Sequence, residues 1–299
     1  MGYTDHFNFA REPFSNAPND EFYFDSEQHN QALLRLKYSV DSDKGLAVLV
    51  GGVGTGKTTL ARRMLDNLPY EKYESSLLVM IHSAITPEWI MSRICMQLGV
   101  KNPDLSPLKM LKQLYERLLE IEKEGRKAVV LIDEAQMLQT RELMEEFRGL
   151  LNLEIPDKKL LNIVFFGLPE LDDIMKLDAP LAQRVAFKYT LKPLSAEAAL
   201  EYIDYRLKVA ECESSPFHAD ALMLIHKFSG GVPRLINTLC DNALFETYLR
   251  HGTEITAEIV NNVAEDLGLA TVGLTLAPED EPEDELDDIE IIFDGLEEK

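Results

Sequence analysis

The stretch Gly51-Gly52-Val53-Gly54-Thr55-Gly56-Lys57-Thr58-Thr59 decides the fold that this sequence predicts. It follows an apolar run, residues 46–50, that is typical of a buried strand, and it precedes residues 60–65, which have a helical pattern. A strand that ends in a glycine-rich loop and opens a helix offers backbone N–H groups and the positive end of the helix dipole to an anion. The sequence therefore predicts a phosphate cradle of the P-loop type.

Each part of this loop has an expected task. Lys57 is expected to reach the β- and γ-phosphates of ATP as a point charge, and the Thr58 hydroxyl to ligate Mg²⁺. A glycine-rich turn that matches the pattern by chance is the alternative, and the strand and helix on either side disfavour it. The predicted nucleotide-binding residues are Gly52, Val53, Gly54, Thr55, Gly56, Lys57, Thr58 and Thr59.

A second apolar run, residues 128–132, ends in the acidic pair Asp133-Glu134. At the carboxyl end of a strand, Asp133 is expected to hold the magnesium ion through its water shell, and Glu134 to orient or deprotonate the attacking water. The alternative is an acidic helix start after a strand. Because a P-loop lies upstream, the two motifs together predict an ATPase that uses Mg²⁺.

Composition limits the partners that the chain can have. The 299 residues carry a formal charge of −22, and residues 278–299 account for half of it with twelve acidic residues and one lysine. Proteins that bind nucleic acid non-specifically usually show a basic excess or stripe. The charge therefore disfavours DNA as a partner.

Location and redox state follow from what the sequence lacks. No apolar run approaches the ~18–20 residues that a membrane span needs, and residues 1–7 have no signal-peptide pattern, so we expect a cytoplasmic protein without membrane insertion. The three cysteines, Cys95, Cys212 and Cys240, are widely separated and odd in number. We expect reduced thiols in or near the core.

The pattern of elements changes along the chain. Residues 1–30 are rich in aromatic and turn residues, and we expect them to wrap over the domain that follows; either they cover the sheet or they also line the adenine pocket. Strand patterns alternate with helical ones up to residue 192, and helical patterns follow from Ser195 onward. Further strands are predicted at residues 77–81, 160–166 and 187–191, and the later helices at 195–210, 217–229, 233–249 and 256–267.

This order predicts an α/β fold in which a parallel-sheet, P-loop nucleotide-binding core precedes a small all-α lid, the layout of an AAA+ module. The expected domains are residues 1–192, the core with its N-terminal wrapping segment, residues 193–268, the helical lid, and residues 269–299, an acidic tail. We expect residues 278–288 to be disordered because like charges repel and little apolar surface is available to bury.

Four stretches resemble the ExeA (general secretion pathway protein A) group of AAA+ ATPases, which is also similar to the TniB and TnsC transposition ATPases. The resemblance covers roughly residues 3–267. The stretches are Glu12-Pro13-Phe14 with Phe24 and His29, then Gly51–Thr59, then Leu131–Gln136 with Gly167–Leu171, and finally Gly230–Asn237.

The resemblance implies roles for two arginines. Arg184 matches the arginine that such rings present to the γ-phosphate of a neighbouring subunit, and an ordinary surface arginine is the alternative. Arg234, after Gly230-Gly231-Val232-Pro233, matches the lid arginine called sensor 2, which contacts the phosphates in the same subunit. ATP-dependent self-association into a ring or filament is therefore expected.

Two features depart from the family pattern. Members have glutamine where this chain has Leu168, and a leucine side chain cannot position water. Either Asn162 or Gln183 takes that task, or hydrolysis is slow. The ExeA prototype also has a membrane span and a peptidoglycan-binding region, and neither pattern is found in this sequence, so we expect no direct role at the cell wall.

Three functions fit the sequence. The first is an ATPase that supports assembly of a bacterial secretion or type IV pilus-like envelope machine. The second is a DNA-binding, ATP-dependent target selector of transposition, and the third is a slow or non-hydrolysing scaffold.

Three roles fit the acidic tail. It is a solubility device, a docking peptide for an envelope component through Ile289–Leu296, or a cover for the protein's own basic channel.

Overall fold

Five parallel strands form the central sheet of the protein, for which a computed structural model describes residues 2–17 and 19–269. They are β1 (Leu46–Gly51), β2 (Tyr73–Val79), β3 (Lys127–Asp133), β6 (Leu161–Gly167) and β7 (Val185–Leu191), and two short strands, β4 (Glu154–Ile155) and β5 (Lys158–Lys159), lie outside this sheet. Their order in the sheet is β2-β3-β6-β1-β7, and β4 and β5 make a separate antiparallel ribbon.

Helices cover both faces of this sheet and continue after it. They are α1 (Tyr3–His6), α2 (Glu27–Asp41), α3 (Lys57–Asp66), α4 (Pro87–Gln97), α5 (Pro107–Lys123), α6 (Arg141–Leu150), α7 (Leu171–Met175), α8 (Ala179–Ala182), α9 (Ala196–Val209), α10 (Ala219–Ser229), α11 (Pro233–Leu249) and α12 (Ala257–Asp266). Side chains of Ser26, Thr86 and Thr140 cap α2, α4 and α6 by accepting a backbone N–H. The α/β fold with a parallel core and a following helical part is confirmed.

The three central strands, β1, β3 and β6, are buried along their whole length apart from the first residue of β3, Lys127, which is partly buried. They read as continuous apolar runs because helices pack on both sides of the sheet. One side packs against α4, α5 and α6, and the other against α2 and α3. Since the strands are parallel, their carboxyl ends, Gly51, Asp133 and Gly167, lie at the same edge.

Helices α9–α12 enclose a second apolar core. Phe9 and Phe14 from the N-terminal segment are buried in it. Arg206 on α9 binds the same segment, because its guanidinium donates to the carbonyls of Pro13 at 2.6 Å and Ser15 at 2.9 Å. The N-terminal segment is thus attached to the helical part before it reaches α2.

The second strand is the element whose predicted position was wrong. Residues 77–81 were expected, whereas β2 spans Tyr73–Val79 and Ile81 is 82% exposed. β2 is an edge strand that pairs only with β3 in the described part of the chain, and its buried residues are Tyr73, Ser76 and Leu78. Its first half contains the polar residues 74–76, so it does not form the continuous apolar run of a strand buried on both faces. The short elements between residues 154 and 182 were not predicted.

The acidic tail, on which the docking prediction rests, lies outside the described residues. Within the described ranges, no helix is both long enough and apolar enough to span a bilayer. Cys95 and Cys240 are buried and Cys212 is partly buried, and all three are free thiols.

Candidate functional site

The glycine-rich loop connects β1 to α3 in a closed conformation. The Lys57 ammonium donates to the carbonyl of Gly52 at 2.9 Å, and the Thr55 hydroxyl donates to the same carbonyl at 2.9 Å. Gly56 precedes α3 in the left-handed region, and no side chain caps the first N–H groups of this helix. Uncapped N–H groups at a helix start can bind an anion.

Two glycines of the loop are required by close packing as well as by conformation. Gly54 has φ +78°, and a Cβ there would lie 2.8 Å from Cβ of Arg234. Gly56 has φ +99°, and its Cβ would lie 3.0 Å from Nε2 of His29. The loop is therefore held between α2 on one side and the start of α11 on the other, where the Arg234 N–H donates to the Gly54 carbonyl at 3.3 Å.

Lys57 is buried at the end of the loop. Burial lowers the pKa of its ammonium group, and the nearby carboxylates of Glu134 and Asp133 act in the opposite direction. Little water reaches the buried Lys57 ammonium group, so the negative charge of a polyphosphate would stabilise its charged form. The arrangement favours binding of a nucleotide phosphate.

Thr58 and Asp133 meet across the same edge of the sheet. The Thr58 hydroxyl donates to the Asp133 carboxylate at 2.6 Å, and the Glu134 N–H donates to the other carboxylate oxygen at 3.0 Å. Burial raises the pKa of Asp133, although both hydrogen bonds act to lower it. A hydroxyl and a carboxylate side by side are oxygen ligands of the kind that Mg²⁺ takes in phosphate sites, so these residues fit that ion.

Glu134 has a left-handed backbone, with φ +55°. A non-glycine residue in this region costs roughly 1–2 kcal/mol, and strain of this kind often occurs at active sites. The side chain lines the cavity described below. Its carboxylate accepts a hydrogen bond from the amide of Gln136, whose oxygen accepts from the Leu168 N–H at 3.0 Å.

A cavity of about 320 Å³ opens in front of the loop. Its phosphate-facing wall contains the loop residues 53–59 with Arg62, Glu134 and Leu168. The far wall combines the N-terminal segment with the helical part, through residues that include Phe22, Tyr23, Phe24, His29, Tyr202 and Asn237. The N-terminal segment therefore does line the cavity, as one of the two alternatives from the sequence expected.

The two arginines lie in different places. Arg234 lines the cavity, together with Pro233. Arg184 is not among the described residues that line it; its guanidinium donates to the Arg148 carbonyl at 3.1 Å and to the Asn152 side chain at 2.6 Å. Within one subunit, the structure brings Arg234 but not Arg184 to the loop.

Neither residue expected to replace glutamine at position 168 reaches the site. Asn162 lies at the opposite end of β6, where its side chain donates to Asp43 at 3.3 Å and accepts from the Gly45 N–H. Gln183 is exposed outside the cavity. For Asn162 that expectation was wrong, because a parallel strand presents only its carboxyl end to the site, and Gln183 does not line the cavity of its own subunit. The polar side chain that does reach the end of β6 is Gln136, which contacts Glu134 and the Leu168 N–H.

Comparison with known proteins agrees with this geometry. Residues 40–175 match the family model described as an AAA domain. General secretion pathway protein A of Aeromonas hydrophila is 38% identical over 256 residues, which are 85% of this chain and 46% of that protein. An uncharacterized HTH-type transcriptional regulator of Methanocaldococcus jannaschii is 26% identical over 183 residues, 58% of this chain and 43% of that protein.

Solved structures show the same fold at low identity. The ORC2 protein of Aeropyrum pernix superposes with a TM-score of 0.64 at 16% identity, over 86% of this chain and 71% of that chain. Drosophila ORC bound to DNA gives a TM-score of 0.66 at 18% identity, over 88% and 66%. The chain spans less than half the length of the curated relatives that it matches. On these grounds the chain belongs to the AAA+ family of P-loop ATPases, in the group of general secretion pathway protein A.

Proposed function

We propose that this protein binds ATP with Mg²⁺ and hydrolyses it in the cavity between the P-loop and the helical part. The observation that carries the proposal is that Lys57, Thr58 and Glu134 line one end of that cavity, with the Asp133 carboxylate directly behind the Thr58 hydroxyl. An ammonium group, a pair of oxygen ligands and a carboxylate that faces the cavity are the groups that phosphoryl transfer to water needs.

Each residue then has a chemical task. Lys57 stabilises negative charge on the β- and γ-phosphates, and Thr58 with the water-bridged Asp133 would hold the ion. Mg²⁺, when bound, neutralises charge that develops on the phosphate oxygens. Glu134 orients the attacking water and accepts its proton. Arg234 contacts the phosphates from the lid side, which makes the position of the lid depend on the nucleotide.

Self-association completes the site. Arg184 lies outside the cavity of its own subunit, and it is positioned by the Arg148 carbonyl on α6 and by the Asn152 side chain just after that helix. This location supports a role at the γ-phosphate of a neighbouring subunit in a ring or filament. ATP would then promote assembly because the interface contains the nucleotide.

The similarity to general secretion pathway protein A supports a place in a bacterial secretion or type IV pilus-like machine. The protein would act from the cytoplasm, and the acidic tail would contact the envelope component.

Two alternatives each have an observation behind them. A relative in fold was solved bound to DNA, which favours a DNA-binding regulator of the transposition type, although the charge of −22 opposes it. Leu168, with no polar group for water, favours a slow or non-hydrolysing scaffold.

The deciding experiment measures phosphate release and sedimentation of the purified chain with ATP, with Mg²⁺ or with EDTA, and with or without duplex DNA. We expect Mg²⁺-dependent release and ATP-dependent assembly without DNA. Lys57→Ala should lose ATP binding, whereas the exposed Lys44→Ala should match the parent. Assembly without phosphate release would indicate the scaffold, and turnover that requires DNA would indicate the regulator.

A further inference from the structure

Both polar atoms of the Gln136 side-chain amide are hydrogen-bonded. It is buried, with 7% of its surface exposed, in the turn that follows β3. Its nitrogen donates to the Glu134 carboxylate, and its oxygen accepts from the Leu168 N–H at 3.0 Å. Since a backbone N–H can only donate and an ionised carboxylate only accept, chemistry determines the orientation of this amide.

The end of β6 leaves space for this amide. At Gly167 a Cβ would lie 3.1 Å from the Gln136 oxygen and 2.9 Å from Cδ2 of Leu171. Any larger residue would push the amide away from the Leu168 N–H. Gln136 thus joins the carboxyl ends of β3 and β6 behind Glu134 and Leu168, which line the cavity.

Glu134 needs such a support. Its side chain has three rotatable bonds and faces a cavity, so without a partner its carboxylate would occupy several positions. One hydrogen bond from Gln136 restricts it and leaves acceptor sites on the carboxylate for water, because a carboxylate has about four. Leu168, which lines the same cavity, supplies only its backbone N–H to this arrangement.

We propose that Gln136 is a positioning residue for ATP hydrolysis: anchored on the Leu168 N–H, its amide holds the Glu134 carboxylate where the attacking water binds. The proposal rests on the ATPase function proposed above. It also explains how a chain with leucine at position 168 keeps an ordered water-activating group. The polar group comes from the end of β3 rather than from the end of β6.

Two substitutions separate positioning from simple bracing. Gln136→Leu removes both hydrogen bonds. Gln136→Glu keeps an acceptor for the Leu168 N–H but places a second negative group against Glu134. If Gln136 only braces the loop after β6, Gln136→Glu should behave as the parent. If it positions Glu134, both variants should lose turnover.

The experiment compares ATP affinity and single-turnover hydrolysis of the parent, the two variants and the exposed control Gln139→Leu. We expect both Gln136 variants to bind ATP within about 2-fold of the parent and to hydrolyse it on the order of 10²-fold more slowly, since a small misplacement of a reacting group costs about this much. Gln139→Leu should match the parent. In a Glu134→Gln background, Gln136→Leu should cause no further loss, because the two residues act as one unit.

Four results would overturn the proposal. Gln136→Glu with parental turnover would show that the residue only braces the loop. A faster Gln136→Leu would show that the amide restrains Glu134 from the water. A parent with no turnover would contradict both the proposed ATPase function and the positioning role of Gln136. An active parent with unaffected variants would contradict the positioning role alone.

Discussion

The Thr58 hydroxyl donates to the Asp133 carboxylate across 2.6 Å and thereby joins the first turn of α3 to the end of β3. The carboxylate has no exposed surface, and burial raises its pKa. A buried charge of this kind disfavours the folded state without its ligand, and it is retained where function needs it. Its energetic effect can be measured without any assay of activity.

We expect Asp133→Asn to raise the free energy of unfolding of the nucleotide-free protein by on the order of 1 kcal/mol at pH 7. The pKa of Asp133 is higher in the folded chain than in the unfolded one, so its ionised carboxylate destabilises the fold when the pH is above the folded pKa. The stability gained by Asp133→Asn should therefore vanish as the pH falls below the ordinary pKa of an aspartate. Urea unfolding checks this. The same variant should lose the Mg²⁺ dependence of ATP affinity.

Asp178→Asn provides the contrast. That carboxylate is also buried, but it accepts from Arg148 Nε at 2.8 Å and caps α8. We expect this substitution to lower stability. Equal effects of the two substitutions would contradict the distinction between a ligand-binding and a structural carboxylate.

We expect His29 to make the free energy of unfolding depend on pH. It is buried beside Gly56, with Nδ1 2.6 Å from the Ser26 hydroxyl and Nε2 3.3 Å from the Thr55 carbonyl. Burial lowers its pKa below 6.5. Because the folded pKa is depressed, the unfolded chain takes up the proton first, and we expect stability to fall as the pH decreases from about 6.5 toward the folded value.

Urea unfolding between pH 5 and 8 measures this effect. His29→Gln should flatten the pH dependence, whereas the exposed His82→Gln should leave the parental curve unchanged. An identical curve for His29→Gln would show that other groups cause the dependence.

The sequence was sufficient to predict the strands that are buried on both faces, and the glycine-rich loop and acidic pair that follow two of them. Continuous apolar runs and motif spacing are local features, so they can be recognised without the folded structure. It could not locate Gln136 relative to Leu168, since that contact depends on how the ends of β3 and β6 align. It also missed Tyr23 as a polar group of the cavity. Aromatic residues in a wrapping segment predict packing, and only the folded chain shows which hydroxyl is left without a partner.

Tyr23 has a buried hydroxyl with no hydrogen-bond partner in the described part of the chain, and it lines the cavity. Burial raises the pKa of this hydroxyl to about 12. Its ring lies 5.1 Å from the Arg63 guanidinium carbon. Arg63 is six residues along α3 from Lys57, which is about 9 Å at 1.5 Å per residue. Tyr23 therefore lies away from the phosphate end of the cavity, and this position favours the nucleoside part of ATP as the partner of its hydroxyl.

We expect Tyr23→Phe to weaken ATP binding by about 5- to 15-fold while leaving the nucleotide-free protein as stable as the parent or more so, because an unsatisfied polar group is removed. Tyr205→Phe is the control: that hydroxyl donates to the Glu21 carbonyl at 2.9 Å, so its loss should reduce stability. Isothermal titration and thermal unfolding give both numbers. Loss of stability in Tyr23→Phe would contradict the assignment.

Arg184→Ala should separate binding from turnover. Since Arg184 lies outside its own cavity, we expect monomeric binding of ATP to be nearly unchanged and hydrolysis to fall by on the order of 10³-fold, as when an arginine finger is removed. Arg141→Ala on α6, an exposed arginine paired with Glu145, should keep parental turnover. The check is turnover per subunit at increasing protein concentration. A parental rate independent of concentration, in a species that stays monomeric with ATP, would exclude a role between subunits.

The most direct measurement is the fate of γ-labelled ATP on Glu134→Gln compared with the parent. The variant retains the shape of the side chain and removes the carboxylate that accepts the proton of the attacking water. We expect it to bind ATP and Mg²⁺ with parental affinity and to release no more than about 1% of the parental phosphate. Phosphate release at the parental rate by Glu134→Gln would contradict the site as described here.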